Sequence, residues 1–263
     1  MASERFLTMR HLHLLSAVSF LLHINGYVCM EIIGGNIAAP HSRPYMVYLK
    51  DQKLCGGALI KPNWIITAAH CNLGNTTKAL LGLHSLSDIT NQQQVIRIKR
   101  AIKYPCFDRV LKINDLQLLE LEKPAKLNKF VSTLPLPKQE ENVKPGTQCS
   151  TAGWGVTDRK KAKPSDVLRE VNLTIVDHKK CSKAYSKIKQ TITSSMICAG
   201  PLKRRKDDTC QGDSGGPLIC NNKFTGVVSF GNKCADPKFP GVYTFLTKNY
   251  LQWITTVTGG ASF

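Results

Sequence analysis

The stretch Asp208-Thr209-Cys210-Gln211-Gly212-Asp213-Ser214-Gly215-Gly216-Pro217 decides the reading of this chain. It places a hydroxyl between glycines, on a turn whose backbone N–H groups can face a developing oxyanion. A serine hydroxyl is a weak nucleophile until a base takes its proton. Thr67-Ala68-Ala69-His70-Cys71 offers an imidazole, and Asn114-Asp115-Leu116-Gln117-Leu118-Leu119 offers a carboxylate in an apolar run. Taken singly, His70 reads equally well as a core histidine, and Asn114-Asp115 as a turn. Together, in the order His70, Asp115, Ser214, they form a base, an orienting carboxylate and a nucleophile.

With that order and its flanking cysteines, the chain resembles the trypsin/chymotrypsin-like serine proteases. Pro40-His41-Ser42-Arg43-Pro44-Tyr45-Met46, Tyr104-Pro105-Cys106 and Leu168-Arg169-Glu170-Val171-Asn172 narrow the resemblance to the granule-stored branch, from Ile32 to about Gly259. The resemblance implies an all-β fold of two six-stranded antiparallel β-barrels with a C-terminal helix. Residues 32–263 would form the protease domain, dividing near 130–145, with His70 and Asp115 from the first barrel and Ser214 from the second. It implies an oxyanion hole made by the N–H groups of Gly212 and Ser214, and no cofactor. Asp208, six residues before the serine, would floor a pocket for Lys or Arg, which a carboxylate can hold bidentately. Gly231 and Gly241 would keep the pocket walls open, whereas Asp207 reads as a solvated neighbour. Phe230 departs from the tryptophan many relatives carry. Ile32-Ile33-Gly34-Gly35 matches a mature N-terminus, whose freed amine would pair with Asp213. The implied disulfides are Cys55–Cys71, Cys149–Cys220, Cys181–Cys198 and Cys210–Cys234, leaving Cys106 for an interchain bridge in a homodimer.

The residues themselves point to the same class of fold. Short apolar runs broken by turns, with β-branched residues and alternation that favour strands, include Tyr45–Leu49, Gly57–Ile60, Trp64–Thr67, Leu116–Leu121, Val171–Val176 and Thr225–Phe230. One helix is predicted, over Lys248–Val257, where Tyr250, Leu251, Trp253 and Ile254 share a face. Pro135, Pro137 and Pro145 punctuate the polar stretch between the two halves. No repeat and no low-complexity tract interrupts the 263 residues.

The first residues read as processed segments. Leu14–Leu22 is apolar but far shorter than the roughly 20 residues of a membrane span, so residues 1–29 are expected to be a secretory signal. Cleavage after Cys29 leaves Met30-Glu31 as an activation dipeptide, unlike the Lys or Arg of most trypsin-like activation sites. No later run is apolar enough to span a bilayer, so an exported, soluble product is expected, and the resemblance implies storage in lymphocyte granules. Export fits the ten cysteines, of which nine remain beyond Cys29. That odd number leaves a thiol, either buried or, at the loop of Pro105-Cys106-Phe107-Asp108, reachable.

The net charge of +18 comes from 36 Lys and Arg against 18 Asp and Glu. Clusters such as Arg97-Ile98-Lys99-Arg100, Arg159–Lys163, Lys179-Lys180 and Lys203–Lys206 favour polyanions, acidic proteoglycan or heparin-like chains above all. Aromatic residues do not interleave with them, so specific nucleic-acid reading is not expected. Asn75-Thr76-Thr77 and Asn172-Leu173-Thr174 are glycosylation sequons. No metal-ligand spacing is evident among His11, His13, His23, His41, His84 and His178. Two other classes fit less completely: a different granule tryptase, and a heparin-binding homologue without catalysis, which would usually lack a triad member.

Overall fold

The computed structural model describes residues 35–51, 53–88, 92–157, 163–201, 208–210, 212–232, 234, 236 and 238–259. Strand β1 (Asn36–Ile37) is followed by six strands that close on themselves: β2 (Met46–Lys50), β3 (Leu54–Lys61), β4 (Trp64–Thr67), β5 (Lys78–Leu81), β6 (Gln94–Lys103) and β7 (Gln117–Leu121). Their order around the barrel is β2-β3-β4-β7-β6-β5, antiparallel throughout. Closure removes exposed edges, and alternation sends Leu49, Leu59, Leu81, Ile96 and Ile98 inward.

After the connection 122–147 come β8 (Gln148–Gly153), β9 (Arg169–Val176), β10 (Met196–Pro201), β11 (Pro217–Cys220), β12 (Lys223–Phe230) and β13 (Gly241–Phe245). The path β8-β9-β10-β13-β12-β11 returns to β8 through the β11–β8 pairing, so this barrel also closes. Leu173, Ile175, Leu218 and Tyr243 fill it. Sequence reading expected two six-stranded barrels and a terminal helix, and these are present. It did not anticipate β1, a seventh strand that pairs with the start of β9 through Asn36↔Glu170 and Ile37↔Arg169.

Two helices are described. The C-terminal one, α2 (Lys248–Val257), has the predicted bounds. The other, α1 (His178–Ser186), was not predicted. Its start is set by Asp177, whose side chain accepts the Lys180 N–H at 3.0 Å. Cys181 and Tyr185, four residues apart, form its buried stripe.

The barrels are strapped together at both chain ends. β1 comes before the first barrel yet pairs with the second. Conversely, α2 follows the second barrel but packs Tyr250, Leu251 and Ile254 into the first barrel's core. Arg43 adds a cross-link from before β2, donating to Glu170 at 2.8 Å and Ser150 at 3.2 Å. The facing loops meet where Leu168 N–H and Trp154 Nε1–H both donate to His84 O.

Candidate active site

His70 sits in the middle of a 3₁₀ turn, Ala69–Cys71, that follows β4. Asn72 closes the turn in the left-handed region at φ 55°, and the Cys55–Cys71 disulfide ties it to β3. Asp115 lies just before β7 and is fully buried. Its carboxylate accepts the His70 backbone N–H at 2.8 Å through Oδ1 and meets the ring Nδ1 at 2.7 Å through Oδ2. Two bonds from one residue fix both the position and the rotation of the imidazole. They also reserve Nδ1 for the carboxylate and leave Nε2 for chemistry.

Two further hydroxyls hold Asp115, and sequence reading missed both. Ser229 Oγ on β12 donates to Oδ2, and Thr244 Oγ1 on β13 donates to the backbone oxygen at 3.0 Å. A first-barrel carboxylate is thus anchored by second-barrel strands. The only signal in the sequence is a serine at a buried position of an apolar strand, Val227-Val228-Ser229.

The Ser214 turn docks against both barrels. Gly56 N–H of β3 donates to Ser214 O at 2.8 Å, and Gly215 N–H donates to Val228 O at 2.9 Å. Gly215 has φ 85°, and a Cβ there would strike Thr67 Oγ1 and the Gly56 carbonyl. That close approach brings the serine loop against the segment leading into His70. Gly212, at φ 101°, leaves no room for a side chain: a Cβ would lie 2.8 Å from Leu54 Cδ2 and 2.9 Å from Gly155 Cα.

Asp213 points inward and is 1% exposed. Its carboxylate accepts Gly155 N–H and Cys210 N–H, each at 2.9 Å. Burial pushes its pKa up to about 6, against the lowering effect of those two bonds. Ile32, the partner expected from sequence, lies outside the described residues.

Asp208 is also buried, at 5% exposure, with Thr209 N–H donating to its Oδ1 at 2.8 Å. It is close enough to Tyr243 of β13 to help burial raise that phenol's pKa. Phe230 pairs with Val242, which sets Gly231 and Gly241 at the facing ends of β12 and β13. A Cβ on Gly231 would enter open space, while one on Gly241 would press on the Tyr243 ring at 3.3 Å. The Cys210–Cys234 bridge joins the Asp208 segment to the chain beyond Gly231. Helix α1 supports this wall from behind: Tyr185 OH donates to Pro240 O at 2.7 Å, and its ring packs edge-on against Phe230 and Phe239.

The remaining bridges are Cys149–Cys220 and Cys181–Cys198, and Cys106 is an exposed free thiol, the reachable one of the two alternatives open from sequence. Asn75 and Asn172 are both exposed. Thr77 is buried, its hydroxyl bonded to Asp51 and to Gly74 N–H. Arg159–Lys161 of one basic cluster, the whole of Lys203–Lys206, and Asp207 lie outside the described residues. Among the described residues no three His, Cys, Asp or Glu side chains gather to hold a metal ion, and no helix is long and apolar enough to cross a membrane.

A family model described as Trypsin matches residues 32–254. The chain is similar to granzyme A of Bos taurus, 51% identical over 234 residues that cover 89% of this chain and 90% of that protein. It is similar to mast cell protease 3 of Ovis aries, 41% identical over 85% of this chain and 88% of that protein. It is also similar to cathepsin G of Homo sapiens, 38% identical over 92% of this chain and 93% of that protein.

Proposed function

Because the chain belongs to the trypsin family and is a serine endopeptidase, we propose that it cleaves proteins after Lys or Arg, as a granzyme A-like granule protease of cytotoxic lymphocytes acting on target-cell proteins. The observation that carries the catalytic part of this reading is the fully buried Asp115 carboxylate, bonded by both the ring and the backbone of His70, beside the docked Ser214 turn; its specificity rests on the buried Asp208 carboxylate.

His70 Nε2 takes the Ser214 proton as Oγ attacks the scissile carbonyl carbon. The carbonyl oxygen becomes an oxyanion facing the N–H groups of Gly212 and Ser214. Asp115 stabilises the imidazolium, which then protonates the departing amine as the C–N bond breaks. Water, deprotonated by the same imidazole, attacks the acyl-enzyme ester and releases the acid and the free serine. Asp208 selects the substrate through its charge: a Lys or Arg side chain supplies the cation that this buried carboxylate favours.

Activity begins with processing. Residues 1–29 direct export, and a dipeptidyl peptidase removes Met30-Glu31 within the granule. The freed Ile32 amine then pairs with Asp213 and shapes the oxyanion turn. Cys106, exposed on its loop, bridges two copies into a homodimer. The excess of cations holds the enzyme on acidic proteoglycan, and Asn75 and Asn172 carry glycans.

A peptide library varied at the cleaved position tests the reading with processed enzyme. Turnover confined to Lys and Arg is expected, with Asp208→Ser abolishing it and Ser214→Ala abolishing labelling by an active-site serine reagent. Processed enzyme that left every arginyl and lysyl amide intact would overturn the proposal. For the dimer, non-reducing electrophoresis of Cys106→Ser is expected to give a monomer band.

A further inference from the structure

The triad carboxylate is followed by β7 but preceded by a long loop, and something must hold its backbone from that side. The loop 104–116 is closed at its base by Tyr104 N–H donating to Leu116 O at 2.8 Å. Just inside that closure, Asn114 adopts φ 57°, a left-handed conformation that only a few non-glycine residues tolerate. Its carboxamide is used at both ends. Nδ2 donates to Cys106 O at 3.1 Å, and Oδ1 accepts from Tyr250 OH at 2.9 Å. Cys106 O can only accept, which fixes the amide orientation and leaves its oxygen for the tyrosine.

Tyr250 lies on α2 and is almost fully buried. Its ring packs edge-on against Tyr104 at 4.6 Å, so the hydroxyl is aimed by packing as well as by its bond. Burial raises its pKa, which keeps the hydroxyl a donor at working pH. We propose that Tyr250 and Asn114 form a positioning pair through which the C-terminal helix holds the Asp115 backbone in the orientation that serves His70. This makes α2 part of the catalytic apparatus rather than a cap on the first barrel. It rests on the reading of Asp115 as the triad carboxylate.

Without the tyrosine hydroxyl, Asn114 loses the donor that holds its oxygen, and the left-handed turn relaxes toward commoner conformations. Asp115 follows, because it is the next residue. Its two bonds to His70 then lengthen together, and the imidazolium loses part of its countercharge.

The test uses processed full-length enzyme with kcat normalised to sites titrated by a serine reagent. Tyr250→Phe is expected to lower kcat per site by about 3- to 10-fold with KM little changed, and to move the acid limb of kcat/KM to lower pH. Asn114→Gly keeps the left-handed turn accessible but removes the amide, and is expected to do the same. Tyr250→Phe should add nothing further in that background. Trp253→Phe alters the ring that packs edge-on against the same Tyr104 at 5.0 Å; it is expected to lower Tm while leaving kcat per site and the acid limb in place. Wild-type kcat per site and an unmoved acid limb in Tyr250→Phe would overturn the pair. Asp115→Asn guards the premise: if that variant kept its activity, the reading of Asp115 itself would fall.

Discussion

Gly153 and Gly155 flank the Asp213 carboxylate so closely that neither position admits a side chain. A Cβ on Gly155 would lie 2.6 Å from the carboxylate carbon, and one on Gly153 would strike Oδ1. Gly155→Ala should therefore displace Asp213 and the adjoining Ser214 turn and lower kcat/KM by about a hundredfold, measured on an arginyl amide. The same carboxylate sets a pH dependence. Its folded pKa is raised from 3.8 to about 6 by burial. Between those values the unfolded chain gives up the proton while the folded chain keeps it, so stability falls as pH rises through that window. The full loss is on the order of 3 kcal/mol. A cation released beside Asp213 lowers its pKa and removes the loss, which is what freeing the Ile32 amine would do. Thermal melts of uncut and processed protein between pH 4 and 6.5 check this: the uncut form should lose Tm with rising pH, and the processed form should not. Parallel curves would count against the Ile32–Asp213 pair.

Elements differ in how openly the sequence announces them. The strands built on short apolar runs, β2, β3, β4, β7, β9 and β12, were legible from residue type alone. Strand β6 was not, because its outward face is charged. Ile96 and Ile98 alternate with Arg97 and Lys99 in a clean in-and-out pattern, yet the run Arg97-Ile98-Lys99-Arg100 reads first as a basic cluster. Helix α1 was hidden the same way, its buried stripe reduced to Cys181 and Tyr185 among lysines. His70, Asp115 and Ser214 stood out as candidates because each sits in a short local motif. Ser229, Thr244 and Tyr250 did not, because each reaches the Asp115 segment across more than a hundred residues of chain. The unannounced helix has a consequence of its own, since Tyr185 supports the Pro240-Gly241 wall. Asp177→Ala removes the cap of α1 and should cost about 1 kcal/mol of stability. The loosened wall should raise KM for arginyl substrates while kcat holds, a split that steady-state kinetics reads directly. An unchanged KM would mean that the wall stands without the helix.

At the scale of the whole molecule, the excess of 18 positive charges must sit somewhere that the fold can tolerate. Strand register shows one place where it is concentrated. Lys50 of β2 lies opposite Lys78 of β5, and Lys78 opposite Arg97 of β6, all three exposed on the outer face of the first barrel. Adjacent strands are about 4.8 Å apart, and like charges directly opposite one another destabilise a sheet. Glu120 balances Lys99 and Arg100 further along β6, but among the described residues no carboxylate bridges the row itself. A closed barrel cannot spread to relieve the repulsion, so a polyanion laid across the three strands would relieve it instead. Replacing Lys50, Lys78 and Arg97 with serine should then do two things that ordinary surface mutation does not do together. Elution from immobilised heparin should move to lower salt, and Tm in low salt should stay level or rise. A matched triple replacement of Lys179, Lys180 and Lys183 on α1 should change elution less, because a short helix at the surface does not fix its lysines in a rigid row. Equal shifts from the two triples would place polyanion binding in the total charge rather than in the register of the strands.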